Sequence, residues 1–250
     1  MAFCSIQFRS SALEKACSIN VILPEAESPT GRYPVYYLLH GLSDDHTIWC
    51  RRTSIERYVQ SLPLIVVMPD GGRSFYCDAV SGPRYETLII EDVIGFVDRF
   101  FPTIASREGR VIGGLSMGGY GAMKLALKFP DKFCSVVAHS SCHTLARTPV
   151  EELSNELRLI LGSESANGKD DLFAIVENAE PSKLPAIRFD CGVDDFLLDD
   201  NRLFHQHLES LNIPHEYEEF PGEHSWAYWD VYVQEAIAFH CKALGINGGK

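Results

Sequence analysis

Near the start of the chain, apolar Cys4, Ile6 and Phe8 alternate with Ser5, Gln7 and Arg9, and Cys17 and Ile19 alternate with Ser18 and Asn20 before Val21 and Leu23. A period of two with one wet face predicts an antiparallel hairpin. The pattern then changes. Residues 35–39 and 64–68 are apolar without a break, as strands buried on both faces should be. The stretches 133–138 and 186–191 read as further buried strands, Val111-Ile112 as the end of another, and 216–220 as a short last one. Between them the spacing turns helical. Tyr85, Leu88, Ile89, Val93, Phe96, Val97, Phe100 and Phe101 form a stripe closed by Pro102. Shorter helical patterns cover 53–60 and 201–211, an Ala/Leu-rich one runs from Ala122 to Leu127 before Pro130, and a closing one spans 226–244.

Strands alternating with helices after a hairpin predict an α/β fold: a mostly parallel sheet with helices on both faces. Right-handed crossovers then bring functional loops together at the carboxyl ends of the strands. The 250 residues fit one such domain. The segment 140–183 is longer than a plain crossover and carries two helical patterns, 150–161 and 170–179. It is expected either as a small lid over the site or as a crossover with one extra helix. No repeat or low-complexity tract is visible, and 247–250 reads as a frayed tail.

One of those strand ends carries chemistry. Gly114-Leu115-Ser116-Met117-Gly118 is a G-x-S-x-G nucleophile elbow, with Val111-Ile112 leading in and the helix leading out. Glycine two residues before and after the serine leaves room for the strained turn that projects the hydroxyl. A P-loop would need Lys-Ser/Thr after its last glycine, and a dinucleotide fingerprint G-x-G-x-x-G; neither is present.

A serine hydroxyl needs a base, and the base a carboxylate that fixes its tautomer. The chain order for this elbow is Ser, acid, His. Downstream, Cys191-Gly192-Val193-Asp194-Asp195-Phe196 places Asp195 in the loop after a strand, and Gly222-Glu223-His224-Ser225-Trp226 places His224 after the last one. Of the two adjacent aspartates, the Gly-x-x-Asp spacing favours Asp195. The oxyanion of the intermediate needs two N–H donors, expected from Met117 and from Leu42 in the loop His40-Gly41-Leu42. His40, Trp49, Tyr76, Trp226 and Trp229 fall near strand-end loops and are candidates to bound the substrate pocket, with plain core residues as the alternative. His139 and His143 are expected to line the pocket or face solvent. Asp44-Asp45-His46 resembles a metal-ligand cluster but lacks partner spacing, so no metal is expected.

Charge narrows the partners. Lys+Arg 22 against Asp+Glu 34 gives −12, which opposes nucleic acid and anionic membrane and leaves a small neutral or cationic molecule. A homo-oligomer stays open. The first residues lack a basic start and a long apolar run, so a cytoplasmic location is expected. The eight cysteines show no C-x-x-C pair and read as reduced, buried hydrophobes.

Taken together, Leu38-Leu39-His40-Gly41-Leu42 with Trp49 and Arg52-Thr53, Ile65 to Pro69, Gly114 to Gly121, Cys191 to Leu197 and Gly222 to Trp226 resemble the esterase family of α/β-hydrolases that includes esterase D, S-formylglutathione hydrolases and the small bacterial tributyrin and acetyl esterases. The resemblance spans about residues 3–239. It implies the α/β-hydrolase fold, Ser116, Asp195 and His224 as triad, and Leu42 and Met117 as oxyanion donors. The expected activity is hydrolysis of short-chain acyl esters by a serine carboxylesterase, without cofactor, through an acyl-enzyme. S-formylglutathione hydrolase and feruloyl or acetylxylan esterase are rivals within the family, and a catalytically silent hydrolase fold acting as a binding module is the rival outside enzymology.

Overall fold

In the computed structural model, which describes residues 1–149, 154–163 and 165–246, the apolar runs become the centre of a sheet. Its strands are β1 (Ala2–Arg9), β2 (Ala16–Leu23), β3 (Val35–Leu39), β4 (Ile65–Pro69), β5 (Arg110–Leu115), β6 (Ser135–His139), β7 (Ala186–Gly192) and β8 (Glu216–Phe220). They lie in the order β1-β2-β4-β3-β5-β6-β7-β8. The hairpin β1–β2 is antiparallel and joins β4 antiparallel, while every pair from β4 to β8 is parallel.

Every residue of β3 is buried, and alternate side chains serve opposite cores. Val35, Tyr37 and Leu39 pack with Val93 and Val97 of the helix ending at Ile94–Phe100, and with Met123 and Leu127 of the helix after the elbow. Tyr36 and Leu38 pack on the other face with Trp49, Ile55, Trp229 and Val233. The residue stripe at 85–101 forms an α-turn (Tyr85–Thr87), a π-helical turn (Leu88–Val93) and Ile94–Phe100. The elbow helix, Met117–Lys128, is buried on all sides as far as Leu127. Lys124, with no exposed surface, survives there because Glu86 and Asp170 face its ammonium at 3.2 and 3.3 Å.

Differences from the sequence pattern are mostly at ends. The pattern at 53–60 is helical over Ile55–Val59, and a further short helix, Ile48–Arg52, precedes it across extended Thr53. The helix expected at 201–211 runs Leu198–Ser210, and that expected at 170–179 runs Leu172–Glu177. Of the pattern at 150–161, Asn155–Leu161 is helical, while 150–153 lie outside the described residues, as do 164 and the tail 247–250.

The two helices of the 140–183 segment pack differently. Asn155–Leu161 is capped by Ser154 and fastened over the loop after β4: Arg73 forks onto Glu156 at 2.8 Å, and the Val80 and Ser81 amides donate to the Ile160 and Leu159 carbonyls. Leu172–Glu177, capped by Asp171, instead buries Leu172, Phe173 and Val176 in the core beside the elbow helix.

Candidate active site

Ser116 sits between β5 and its helix with φ +51° and ψ −119°, a conformation that costs a non-glycine residue about 1–3 kcal/mol. Its amide donates to the His139 carbonyl at 2.9 Å, which pins the turn to the end of β6. The flanking glycines answer to backbone contacts. A Cβ on Gly118 would lie 2.5 Å from the Leu39 carbonyl oxygen, and one on Gly114 2.6 Å from the backbone of Gly118. Either side chain would push the elbow off the sheet.

Around this hydroxyl the structure gathers the two partners that strand order anticipates. His224, in the loop after β8, meets the Asp195 carboxylate through Nδ1 at 2.9 and 3.0 Å. A carboxylate only accepts, so Nδ1 carries the proton and Nε2 is left to accept from Ser116 Oγ, 3.1 Å away. Burial opposes the charge on Asp195, but hydrogen bonds from His224 and the Leu197 amide outweigh it and hold the carboxyl below its usual range. Asp194 is exposed and its amide bonds the Gly222 carbonyl, so only Asp195 turns to the imidazole. The loops of Asp195 and His224 touch at glycine: a Cβ on Gly192 would collide with the Gly222 backbone.

The loop after β3 approaches from the other side. A Cβ on Gly41 would lie 2.8 Å from Leu115 Cδ1 and 3.9 Å from Ser116 Cβ, so bare backbone is what lets Gly41 approach Ser116. His40 fixes this loop from within. Its Nδ1 donates to the Gly41 carbonyl at 2.7 Å, and its Nε2 accepts the Gly71 amide at 2.8 Å. The Met117 amide opens the twelve-residue elbow helix, where the backbone dipole favours negative charge. A serine at a helix N-terminus and a base with its tautomer set make an arrangement suited to acyl transfer.

Comparison with known proteins agrees with that chemistry. The model of the family described as "Putative esterase" matches residues 10–240. The chain belongs to this family. An acetyl esterase of Caldicellulosiruptor saccharolyticus is 32% identical over 264 residues, covering 97% of this chain and 99% of that one. Among solved structures, the substrate-bound fluorophosphonate-binding serine hydrolase F of Staphylococcus aureus is 33% identical, with a TM-score of 0.88 and 99% of both chains covered. An S-formylglutathione hydrolase of Staphylococcus aureus is 33% identical with a TM-score of 0.85, covering 96% of this chain and 98% of that one. The chain is thus a serine esterase of the α/β-hydrolase fold.

Within this esterase the anticipated pocket residues divide. Trp49 and Tyr76 are 1% and 0% exposed, so they belong to the core and not to a pocket wall. Trp49 donates from its indole to the Leu39 carbonyl at 3.1 Å. Tyr76 is wedged between Gly71 and Gly121, where a Cβ at either would strike its ring, and its hydroxyl exchanges hydrogen bonds with the His40 backbone. Buried His40 is a loop brace in the same way. Trp229 is buried but meets the His224 ring edge-on at 4.9 Å, and half-buried Trp226 packs on both tryptophans.

Two histidines also move. His139 and His143, expected to line the pocket or face solvent, have no exposed surface. His139 pairs with Asp190, and His143 stacks on Phe204 at 4.4 Å, where burial pushes its imidazole down to about 3. Asp45 is occupied in capping Thr47, at 2.8 Å to the amide and 2.6 Å to the hydroxyl. Among the described residues no three His, Cys, Asp or Glu side chains are grouped to hold a metal ion. One site neighbour escaped the sequence reading. Phe196 lies with its ring 4.5 Å from that of His224, and its signal was the aromatic directly after the candidate acid.

Proposed function

We propose that this serine carboxylesterase hydrolyses short-chain acyl esters by way of an acyl-enzyme on Ser116. The observation that carries the reading is the continuous line Ser116 Oγ–His224 Nε2 and Nδ1–Asp195. As Oγ attacks the ester carbonyl carbon, Nε2 takes its proton, and Asp195 stabilises the imidazolium that results. The carbonyl oxygen, now negative, is held by the Leu42 and Met117 amides. Collapse breaks the bond to the alcohol, which departs with the proton from Nε2. Water then repeats the sequence on the acyl-enzyme, releasing the carboxylic acid and restoring Ser116. Short acyl groups are favoured by the similarity to an acetyl esterase, and no step calls on a cofactor.

The S-formylglutathione hydrolase similarity favours a second reading, thioester hydrolysis by the same residues. On either reading the substrate is a small molecule, and the net charge of −12 argues against nucleic acid. No helix among the described residues is long and apolar enough to cross a membrane. We read the chain as one hydrolase domain, with Asn155–Leu161 as the part of the 140–183 segment that roofs the site through Arg73 and Glu156. A p-nitrophenyl acyl series measured beside S-formylglutathione tests the choice. Highest kcat/KM on acetate or butyrate supports the carboxylesterase, dominance of S-formylglutathione supports the thioesterase, and preference for octanoate contradicts the short acyl group.

A further inference from the structure

Eight large apolar side chains are exposed among the described residues, and Phe196, at 76%, is the most exposed of them. A lone exposed phenylalanine is ordinary. This one is distinguished by what it touches. Its ring packs at 46° against the imidazole of His224, centroids 4.5 Å apart. Trp229 meets the same imidazole at 89°, but it is 4% exposed and its indole N–H is bound to Ser140 Oγ. His224 therefore contacts one aromatic ring sealed in the core and one open to solvent.

The open ring is not on a slack loop. The Asp195 amide donates to the Gly192 carbonyl at 3.1 Å, the Leu197 amide to Asp195 Oδ1 at 2.9 Å, and the Leu198 amide to the Asp195 carbonyl at 3.0 Å. Phe196 is thus held on both sides by the residue that orients the base, and its exposure is built into the turn. Val193, the first residue after the buried strand and three positions before Phe196, is also exposed, at 44%, with its amide fixed to the Phe220 carbonyl.

Chemistry decides which part of a substrate meets this surface. When the ester C–O bond breaks, the departing oxygen takes its proton from His224 Nε2 and must lie within about 3 Å of it. The carbon group on that oxygen is then confined to the surroundings of the imidazole, whereas the acyl group extends from the carbonyl carbon on the other side of the broken bond. With Trp229 sealed, the apolar surface open beside the imidazole is Phe196. We propose that Phe196 forms a leaving-group subsite, and that the esters taken have an alcohol with a flat apolar face, such as an aryl alcohol. This deepens the function proposed above and rests on Ser116 and His224 acting as stated there.

The test compares two acetates that share one acyl-enzyme, 2-naphthyl acetate and methyl acetate, in the wild type, Phe196→Ala and Phe196→Leu. Titration with a fluorophosphonate first confirms that each protein presents its reactive serine. Loss of the aromatic contact should lower the ratio of kcat/KM for naphthyl over methyl ester about tenfold in Phe196→Ala, with Phe196→Leu between the two. The preference among p-nitrophenyl acyl lengths should keep its order in both variants. An equal loss on both acetates would overturn the subsite and leave Phe196 as a positioning residue for the imidazole. An unaltered ratio in both variants overturns it too. A wild type that neither labels nor hydrolyses either acetate defeats the function reading itself, an outcome separate from these.

Discussion

Two imidazole–carboxylate pairs stand at neighbouring strand ends of this esterase, His224 with Asp195 and His139 with Asp190. Their geometry is the same: in each, Nδ1 lies 2.9 and 3.0 Å from the two carboxylate oxygens. What differs is the third partner and the way out. His139 and Asp190 are fully buried, and Asp190 also accepts the Tyr228 hydroxyl at 2.8 Å, so this pair ties β6 and β7 to the closing helix, Trp226–Leu244. The side chain of His224 is 18% exposed, and its Nε2 faces a serine in a strained turn. A His–Asp contact therefore says little about catalysis until the far nitrogen has a hydroxyl to work on and a substrate can reach it. The buried pair still serves the site through its backbone, since the His139 carbonyl accepts the Ser116 amide.

Breaking the two pairs should have opposite signatures. The largest effect is expected from Ser116→Ala, which should lower kcat by about 10⁴-fold or more while thermal unfolding stays cooperative, because the elbow accommodates a smaller side chain. Turnover within tenfold of wild type would remove Ser116 from the mechanism. Asp195→Asn should cost about 10⁴ in kcat by freeing the wrong tautomer of His224, whereas Asp194→Asn should stay within about tenfold, or 1.4 kcal/mol on the barrier. The reverse ranking would give the orienting role to Asp194. In the sealed pair, Asp190→Asn should lose about 3–5 kcal/mol of stability, lowering the unfolding midpoint by about 10 °C, yet leave kcat of the folded enzyme within tenfold. A loss of turnover without a loss of stability would make the second pair part of the chemistry.

A smaller test sharpens the same contrast between buried and open imidazoles. Burial depresses His143 and His240 from the usual 6.5 to about 3, so each stays neutral when folded and takes up a proton on unfolding. Between pH 6.5 and 3 the unfolded chain binds more protons, and stability falls as pH falls. His143→Phe keeps the ring stack on Phe204 and removes one of these groups, so its unfolding midpoint should decline less steeply over that window. Parallel declines would show that His143 is not among the groups driving acid unfolding.

Much of this was legible along the chain. The run at 35–39, the short strand at 216–220 and the closing helix at 226–244 match β3, β8 and Trp226–Leu244 residue for residue, because a five-residue apolar run is of strand length, 216–220 is bounded by Pro214 and Pro221-Gly222, and the last stripe is long enough for a helix. The helix Ile48–Arg52 was missed since five residues are too few to show a period. Strand-end position located Ser116, Asp195 and His224 but could not say where an aromatic points. Trp49 and Tyr76 turn inward against Leu39 and the glycines at 71 and 121, and Phe196 turns outward, because local turns and missing Cβ atoms set those directions. Chain order and loop position also separate His224 from His139, but that His139 is sealed in a second pair with Asp190 is not legible, because it arises from Tyr228 and the packing of the closing helix.

The central claim is that one serine, served by one of the two pairs, carries the reaction. Its most direct test is to react the enzyme with a fluorophosphonate and map the modified peptide in the wild type, Ser116→Ala and Asp190→Asn. A single adduct on Ser116, abolished in Ser116→Ala and retained in folded Asp190→Asn, is the expected result. Labelling at another residue, or a Ser116→Ala protein that labels and turns over like the wild type, would contradict it.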